Sequence, residues 1–379
     1  MRGKNQLIEG LRLLCSFMVV GSHITSSLNA GNFPAAIAVN DAVRPVLFYV
    51  FYGSSVYFFQ ITGFILAAKL PEWRTASEGL LHQTARRITR LLFVFWAALL
   101  LVTLCNLFKQ WLFPPAWVPF RPNAWLAEFF LASSATGQEI RMIPPAWYLE
   151  IDLLLILGAS ALYLLWCELS PTWQKRLRPF IALIAIAVTL VSLLFEKIFL
   201  VEAHPSYAFP RAIGYFILGV LAWHARTRLL PLGCLIVISV SFFAFDDHSV
   251  SRKYYCSTGS ILLAWILSCF HHHPGVKYLL DKYPIERFSK ISLGLFLTHY
   301  LVLTIWISLA RHLTPRSVPA FCGLMLLSLP VMYLVAWLFH TFVEKNVLAL
   351  HRWLWSLKPQ VISAGKTTAD IVPASNAVV

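Results

Sequence analysis

Apolar segments recur along the whole chain, and no other feature limits its fold as strongly. They cover 7–28, 46–68, 91–108, 146–166, 180–195, 212–223, 229–245, 254–270, 291–309 and 321–342. A hydrocarbon core takes about 20 apolar residues per helix, and a spanning helix satisfies its own backbone. Hydrophobic residues make up 58% of the chain, charged residues only 13%, and mean hydropathy is +0.68. These values describe an all-α, polytopic membrane protein with ten transmembrane helices. The sixth segment is the weakest. It reaches full length only by taking in Pro205, Pro210 and Arg211, so a broken or tilted helix is expected there. Residues 1–357 read as a single transmembrane domain. Residues 358–379 are polar and rich in small side chains, and read as a disordered cytoplasmic tail.

The net charge of +14 does not indicate a nucleic-acid partner, and no motif of that kind is present. Basic residues of membrane proteins collect in cytoplasmic loops. With the N-terminus placed inside and the segments alternating, inner loops hold roughly twice as many Lys and Arg as outer loops. Both termini are therefore expected in the cytoplasm. Arg2 and Lys4 precede an apolar run, as in a signal peptide. The charges inside that run and its lack of a small-residue cleavage site favour a retained helix. Seven scattered cysteines without CxxC spacing suggest buried thiols rather than a metal or disulfide framework. His271, His272 and His273 are consecutive and point different ways on a helix, so no shared metal is expected. The outer loop 109–143 carries an apolar stretch, 125–132, expected to lie in the interface.

Ionisable residues inside the apolar segments are costly and mark candidate sites. The first segment carries Glu9, Arg12 and His23. Arg12 and His23 are eleven residues apart and share nearly one helical face, with Glu9 one turn before Arg12. The competing account has Glu9 and Arg12 snorkelling to the headgroups, and His23 bonded to a backbone group. Glu150 and Asp152 enter the fourth segment about 200° apart around the helix, so at most one is expected to join a site facing the first helix. Arg86, Arg87 and Arg90 open the third segment. Their forked guanidiniums suit phosphate, but on spacing alone ordinary lipid anchoring is favoured. His299 falls at mid-depth of the ninth segment. Two histidines in one bundle point to a shared polar cavity.

Several fragments together resemble the acyltransferase-3 family of bacterial integral-membrane O-acyltransferases. Gly10-Leu11-Arg12 followed by His23 is similar to its first-helix signature. Phe58-Phe59-Gln60-Ile61-Thr62-Gly63-Phe64-Ile65 resembles its FFxxSGFL pattern, with Thr62 for Ser. Arg86-Arg87-Ile88-Thr89-Arg90-Leu91 resembles RRxxRL, with Phe93 where Pro is common. Trp147-Tyr148-Leu149 resembles the WxL start of its fourth helix, and Asp152 falls where many members carry Glu. Ser292 to His299 resembles SxxLYLxH, and Glu344-Lys345-Asn346 its closing E[KR]P without the Pro. The resemblance implies transfer of an acyl group, commonly acetyl from acetyl-CoA, to a sugar hydroxyl of an exported glycan. It also implies a place in the bacterial inner membrane, no metal, and contact with other polysaccharide-biosynthesis proteins. The chain is similar to short members without a C-terminal hydrolase-like domain.

Such a transfer needs a base for the hydroxyl or a nucleophile that carries the acyl group, and an imidazole can be either. His23 is the candidate. Arg12 is assigned to a CoA phosphate or to charge stabilisation, and Glu9 to holding Arg12. The resemblance turns Arg86, Arg87 and Arg90 into candidate CoA contacts. Asp152 is assigned to orienting His23 or meeting the acceptor, and Trp147, Glu150 and His299 to acceptor binding. His299 lacks an aligned Arg on its own helix and is expected to matter less than His23. Two other readings stand: a flippase or transporter of a lipid-linked glycan, and the other large class of membrane acyltransferases, which also uses an intramembrane His.

Overall fold

The computed structural model describes residues 6–29, 54–76, 78–112, 122–132, 143, 146–198, 208–244, 254–271, 273–283, 285–313 and 318–356. The tail at 358–379 and the start of the second apolar segment at 46–53 lie outside the described residues. All described elements are helical. They are α1 (Gln6–Asn29), α2 (Ser54–Thr75), α3 (Gly79–Leu112), α4 (Pro122–Phe129), α5 (Ala146–Glu168), α6 (Pro171–Ile198) and α7 (Ala208–Ala225). There follow α8 (Leu229–Ala244), α9 (Tyr254–Phe270), α10 (Pro274–Asp281), α11 (Ile285–Ser289), α12 (Ser292–Leu313), α13 (Val318–Leu338) and α14 (Lys345–Ser356). A π-helical segment, Phe339–Glu344, joins the last two. Each of the ten apolar segments thus forms a helix. Among the described residues, five helices are long and apolar enough to cross a membrane, and four shorter apolar helices accompany them.

Three local expectations change, and the stretch 125–132 gains a protein partner. α3 begins twelve residues earlier than its apolar stretch. Gly79, at φ 76°, turns the chain out of α2 in a left-handed conformation that other residues disfavour. The polar residues that follow then pack on helices: the Thr84 hydroxyl donates to Ser160 at 3.1 Å. With Phe93 in place of a Pro, α3 runs unbroken through 34 residues. The sixth segment is not broken among its described residues, because Pro210 falls in the first turn of α7, where a missing N–H costs nothing. The stretch 125–132 is docked on protein. Trp125 Nε1 donates to the Thr103 hydroxyl at 3.0 Å, and Trp96 stacks on Phe129 with centroids 5.1 Å apart. Finally, the loop after α9 contains α10, with Pro274 at its start, and α11.

Paired contacts fix relative directions. α2 and α7 both run parallel to α9: Gln60–Ser260 and Phe64–His271 join α2 to α9, while Tyr215–Ser257 and Trp223–His271 join α7 to α9. α12 and α13 are antiparallel, through Trp306–Leu324 and Gly294–Ala336. α3 and α14 are also antiparallel, through His82–Trp355 and Thr89–His351.

The tightest crossing is α2 on α7. A Cβ on Gly63 would overlap the Phe216 carbonyl, and one on Gly219 the Gln60 carbonyl. Where hydrocarbon surrounds a bundle, close backbone approach and van der Waals contact supply much of the helix association. Gly219→Ala is therefore expected to lower thermal stability of the purified protein by at least about 1–3 kcal/mol, the range for overpacking. Gly158→Ala, whose added methyl meets nothing within 4 Å, is expected to be neutral or slightly stabilising. Melting curves of the two variants in one detergent check this.

Candidate active site

α1 and α12 lie side by side in the same direction, in steps of about two helical turns. Gly10 faces Ile285 of α11, just ahead of α12; the Ser16 hydroxyl reaches the Ser292 carbonyl at 3.3 Å, and the His23 ring meets the His299 ring at 5.2 Å between centroids. The spacing of seven from Ser16 to His23 is matched by seven from Ser292 to His299, so the register carries one imidazole to the other. Tyr300 closes the group, with its ring 5.6 Å from that of His23.

His299 is fully buried. Its Nδ1 lies 2.9 Å from the Leu295 carbonyl, which can only accept, so Nδ1 carries the proton. In the neutral ring Nε2 then presents a bare lone pair, and among the described residues it has no hydrogen-bond partner. His23 is half-buried. A fixed tautomer beside a second, more accessible imidazole is an arrangement that can accept and hold a proton.

A second group lies about 16 Å away along α1, the rise over the eleven residues back from His23 to Arg12. Arg12 pairs loosely with Glu9 at 3.8 Å. Arg90 feels the charges of Arg12, Glu9, Arg86 and Glu344. Arg87 sits over the Trp73 ring at 6.0 Å and feels Asp152, Arg12 and Arg90. Arg86 turns outward to Glu78 at 3.7 Å. Four guanidiniums thus share this end with Glu9, Glu78, Asp152 and Glu344. Both ion pairs are longer than a hydrogen bond, so the forks are loosely held.

The fourth-helix carboxyls are both buried rather than hydrated at the interface. Asp152 shares hydrogen bonds with Thr62 and Tyr148 and lies in the field of Arg87 and Arg12; its Oδ1 has no partner. The structure therefore brings Asp152 to the arginine end. Trp147 packs on Phe59 with centroids 6.1 Å apart, next to Tyr148. Glu150 is buried on another face of α5.

Sequence reasoning gave no role to Glu344, His340, Thr62 or Tyr148. Glu344 is buried, and His340 Nδ1 donates to it at 2.8 Å inside the π-helical segment. Such segments recur at functional sites. Its only sequence signal was the Glu-Lys-Asn fragment; Asn346 lets the helix continue where a Pro would resist it. Thr62 was visible only as a replacement for Ser.

The Asp152–Arg87 relation is testable without an assay. Arg87→Met and Asp152→Asn are each expected to destabilise the protein. The double variant is expected to depart from additivity by more than about 0.5 kcal/mol, as for groups in one electrostatic network. Thermal unfolding of the four proteins measures it; strict additivity would separate the two residues.

The comparisons with known proteins bear on what this arrangement serves. No curated protein and no solved structure matches the chain. The family described as an acyltransferase domain matches residues 5–337, from the start of α1 nearly to the end of α13, and so includes the imidazole pair and the four arginines. With most of its length matched, the chain belongs to the acyltransferase-3 family.

Proposed function

We propose that this acyltransferase moves an acetyl group from acetyl-CoA to a sugar hydroxyl of an exported or lipid-linked polysaccharide. In this reading it works from a bacterial inner membrane, with ten spans and both termini in the cytoplasm. The observation that carries the reading is the alignment on α1: an imidazole pair at one level and a cluster of guanidiniums about 16 Å below it. The relative directions of α2, α7 and α9 and of α12 and α13 fit alternating segments, and the bias of basic residues supports a cytoplasmic arginine end.

CoA is a long molecule with phosphates at one end and the thioester at the other. Arg12, Arg87 and Arg90 hold the phosphates, and Arg12 leaves its loose pair with Glu9 to do so. The pantetheine arm then runs along α1 and sets the thioester near His23. His23 takes the proton of the sugar hydroxyl while that oxygen attacks the thioester carbonyl. The C–S bond breaks, the thiolate leaves, and the proton on His23 passes to the sulfur. His299 has an unpartnered Nε2 and a ring 5.2 Å from that of His23; after a small rotation of His23 it accepts that ring's N–H and turns the other nitrogen toward the acceptor. Trp147 and Glu150, near the start of α5, meet the glycan. The geometry thus gives His299 more weight than its sequence context does.

His23→Ala and His23→Gln are expected to lose about 10²-fold or more of acetyl transfer, the range for general-base catalysis. His299→Phe is expected to lower kcat with little change in the KM for acetyl-CoA, and His299→Asn to recover part of the loss. Transfer of radiolabelled acetyl from acetyl-CoA to glycan, by purified protein, is the measurement. Near-normal transfer by His23→Ala would remove its role, and a wild-type protein that moves glycan without acetylating it would be a carrier.

Lys substitutions of Arg12, Arg87 and Arg90 keep the charge but lose the planar fork. Each is expected to raise the KM for acetyl-CoA by about tenfold, an energy near 1.4 kcal/mol. Arg86→Lys, whose side chain turns to Glu78, is expected to change it least. Unchanged affinity in all four variants would return the run to lipid anchoring.

A further inference from the structure

Arg226 follows the last residue of α7, in the turn that leads to α8. Its guanidinium stacks on Trp223 at 3.8 Å from the ring centroid and lies 6.0 Å from that of Phe64. His271 completes the wall, 5.6 Å from Trp223 and 4.9 Å from Phe64 between centroids. Stacking uses the face of the guanidinium and leaves its N–H edge pointing sideways. Nε and Nη1 are shielded from solvent, and among the described residues neither has a hydrogen-bond partner. Burial disfavours the charged form and pulls Arg226 below the ordinary arginine range. His224 in the last turn of α7 is pulled down to about 4, by burial first and then by Arg228 and Arg226, so it stays neutral beside the guanidinium.

This group is separate from the arginine end described above. Arg226 meets α2 at Phe64, whereas Arg87 meets α2 at Trp73. Nine residues along a helix amount to about 180° of rotation and about 13 Å of rise, so the two arginines lie on opposite sides of α2. A charged donor shielded from water and left unpaired is costly, and the cost disappears when an anion accepts from it. The planar fork favours a phosphate oxygen.

We propose that Arg226, held flat against Trp223 beside His271, is a binding site for a phosphate group, supplied by an anionic phospholipid headgroup or by a soluble phosphate compound. It sits where α7 and α9 end, at the same end of the bundle as the start of α3. A site there secures the α2–α7–α9 packing without touching the transfer chemistry.

The test uses the full chain in nanodiscs of phosphatidylcholine, with and without phosphatidylglycerol, and in detergent with and without inorganic pyrophosphate. The readouts are the thermal midpoint and the number of bound lipids by native mass spectrometry. Arg226→Gln is expected to bind the anion about tenfold more weakly than wild type, and Arg226→Lys to fall between them. Arg176→Gln is the control: Arg176 also stacks on a tryptophan, Trp173 at 5.7 Å, but on an exposed surface. A response to phosphatidylglycerol alone identifies a headgroup site; one to pyrophosphate alone identifies a soluble ligand. Wild type insensitive to both overturns the proposal, whether or not the variants fold. So does an Arg226→Gln response equal to that of wild type.

Discussion

The parallel contact of α1 with α12 sets what this bundle can do. Two helices that run the same way and repeat their contacts every two turns keep equivalent residues level over long distances. The Ser16 hydroxyl reaches the Ser292 carbonyl at the start of α12, and two turns on in the same register comes the His23–His299 contact. Neither imidazole is placed by a loop. Each is held by the packing of a long helix, the kind of support that keeps a reacting group within a fraction of an ångström. A shift of α12 by one residue would turn His299 by about 100° and end the contact.

The charges of the site are sorted by depth. The imidazoles lie among apolar side chains at one level, while guanidiniums and carboxylates gather at the other, near the start of α3. Loose pairing matters here. Tight, fully satisfied ion pairs would have no reason to release a guanidinium to a ligand, and an unpaired cluster would be costly to bury. The π-helical turn at Phe339–Glu344 contributes by widening the helix where Glu344 faces this cluster. Glycines serve the same economy elsewhere: at Gly63 and Gly219 the backbones of α2 and α7 approach until no side chain fits between them.

Much of this was legible in the chain. Among the described residues each apolar segment falls on a helix, five of them long and apolar enough to cross a membrane. The face shared by Arg12 and His23 followed from their eleven-residue spacing, since three turns of helix return nearly to the same line. What failed to show was long-range. The boundary of α3 was misplaced because residues 79–90 are polar, and their packing on α5 and α14 comes from partners far along the chain. The 125–132 stretch read as interfacial from its apolar run in a Trp-rich loop, and its docking on α3 through Trp125 and Phe129 was not legible there.

By itself the sequence determined the all-helical class, the helical segments and the faces on which Glu9, Arg12, His23 and the arginine run lie. These follow from local periodicity and from the cost of charge in hydrocarbon. Tertiary structure alone decided the partners. It put His299 against His23, moved Asp152 to the arginine end, brought Glu344 from the last helices to Arg90, and pressed Arg226 onto Trp223 away from the others. Periodicity states which way a side chain points from its own helix. Which helix stands opposite depends on close approach and register between segments hundreds of residues apart, and no local pattern carries that information.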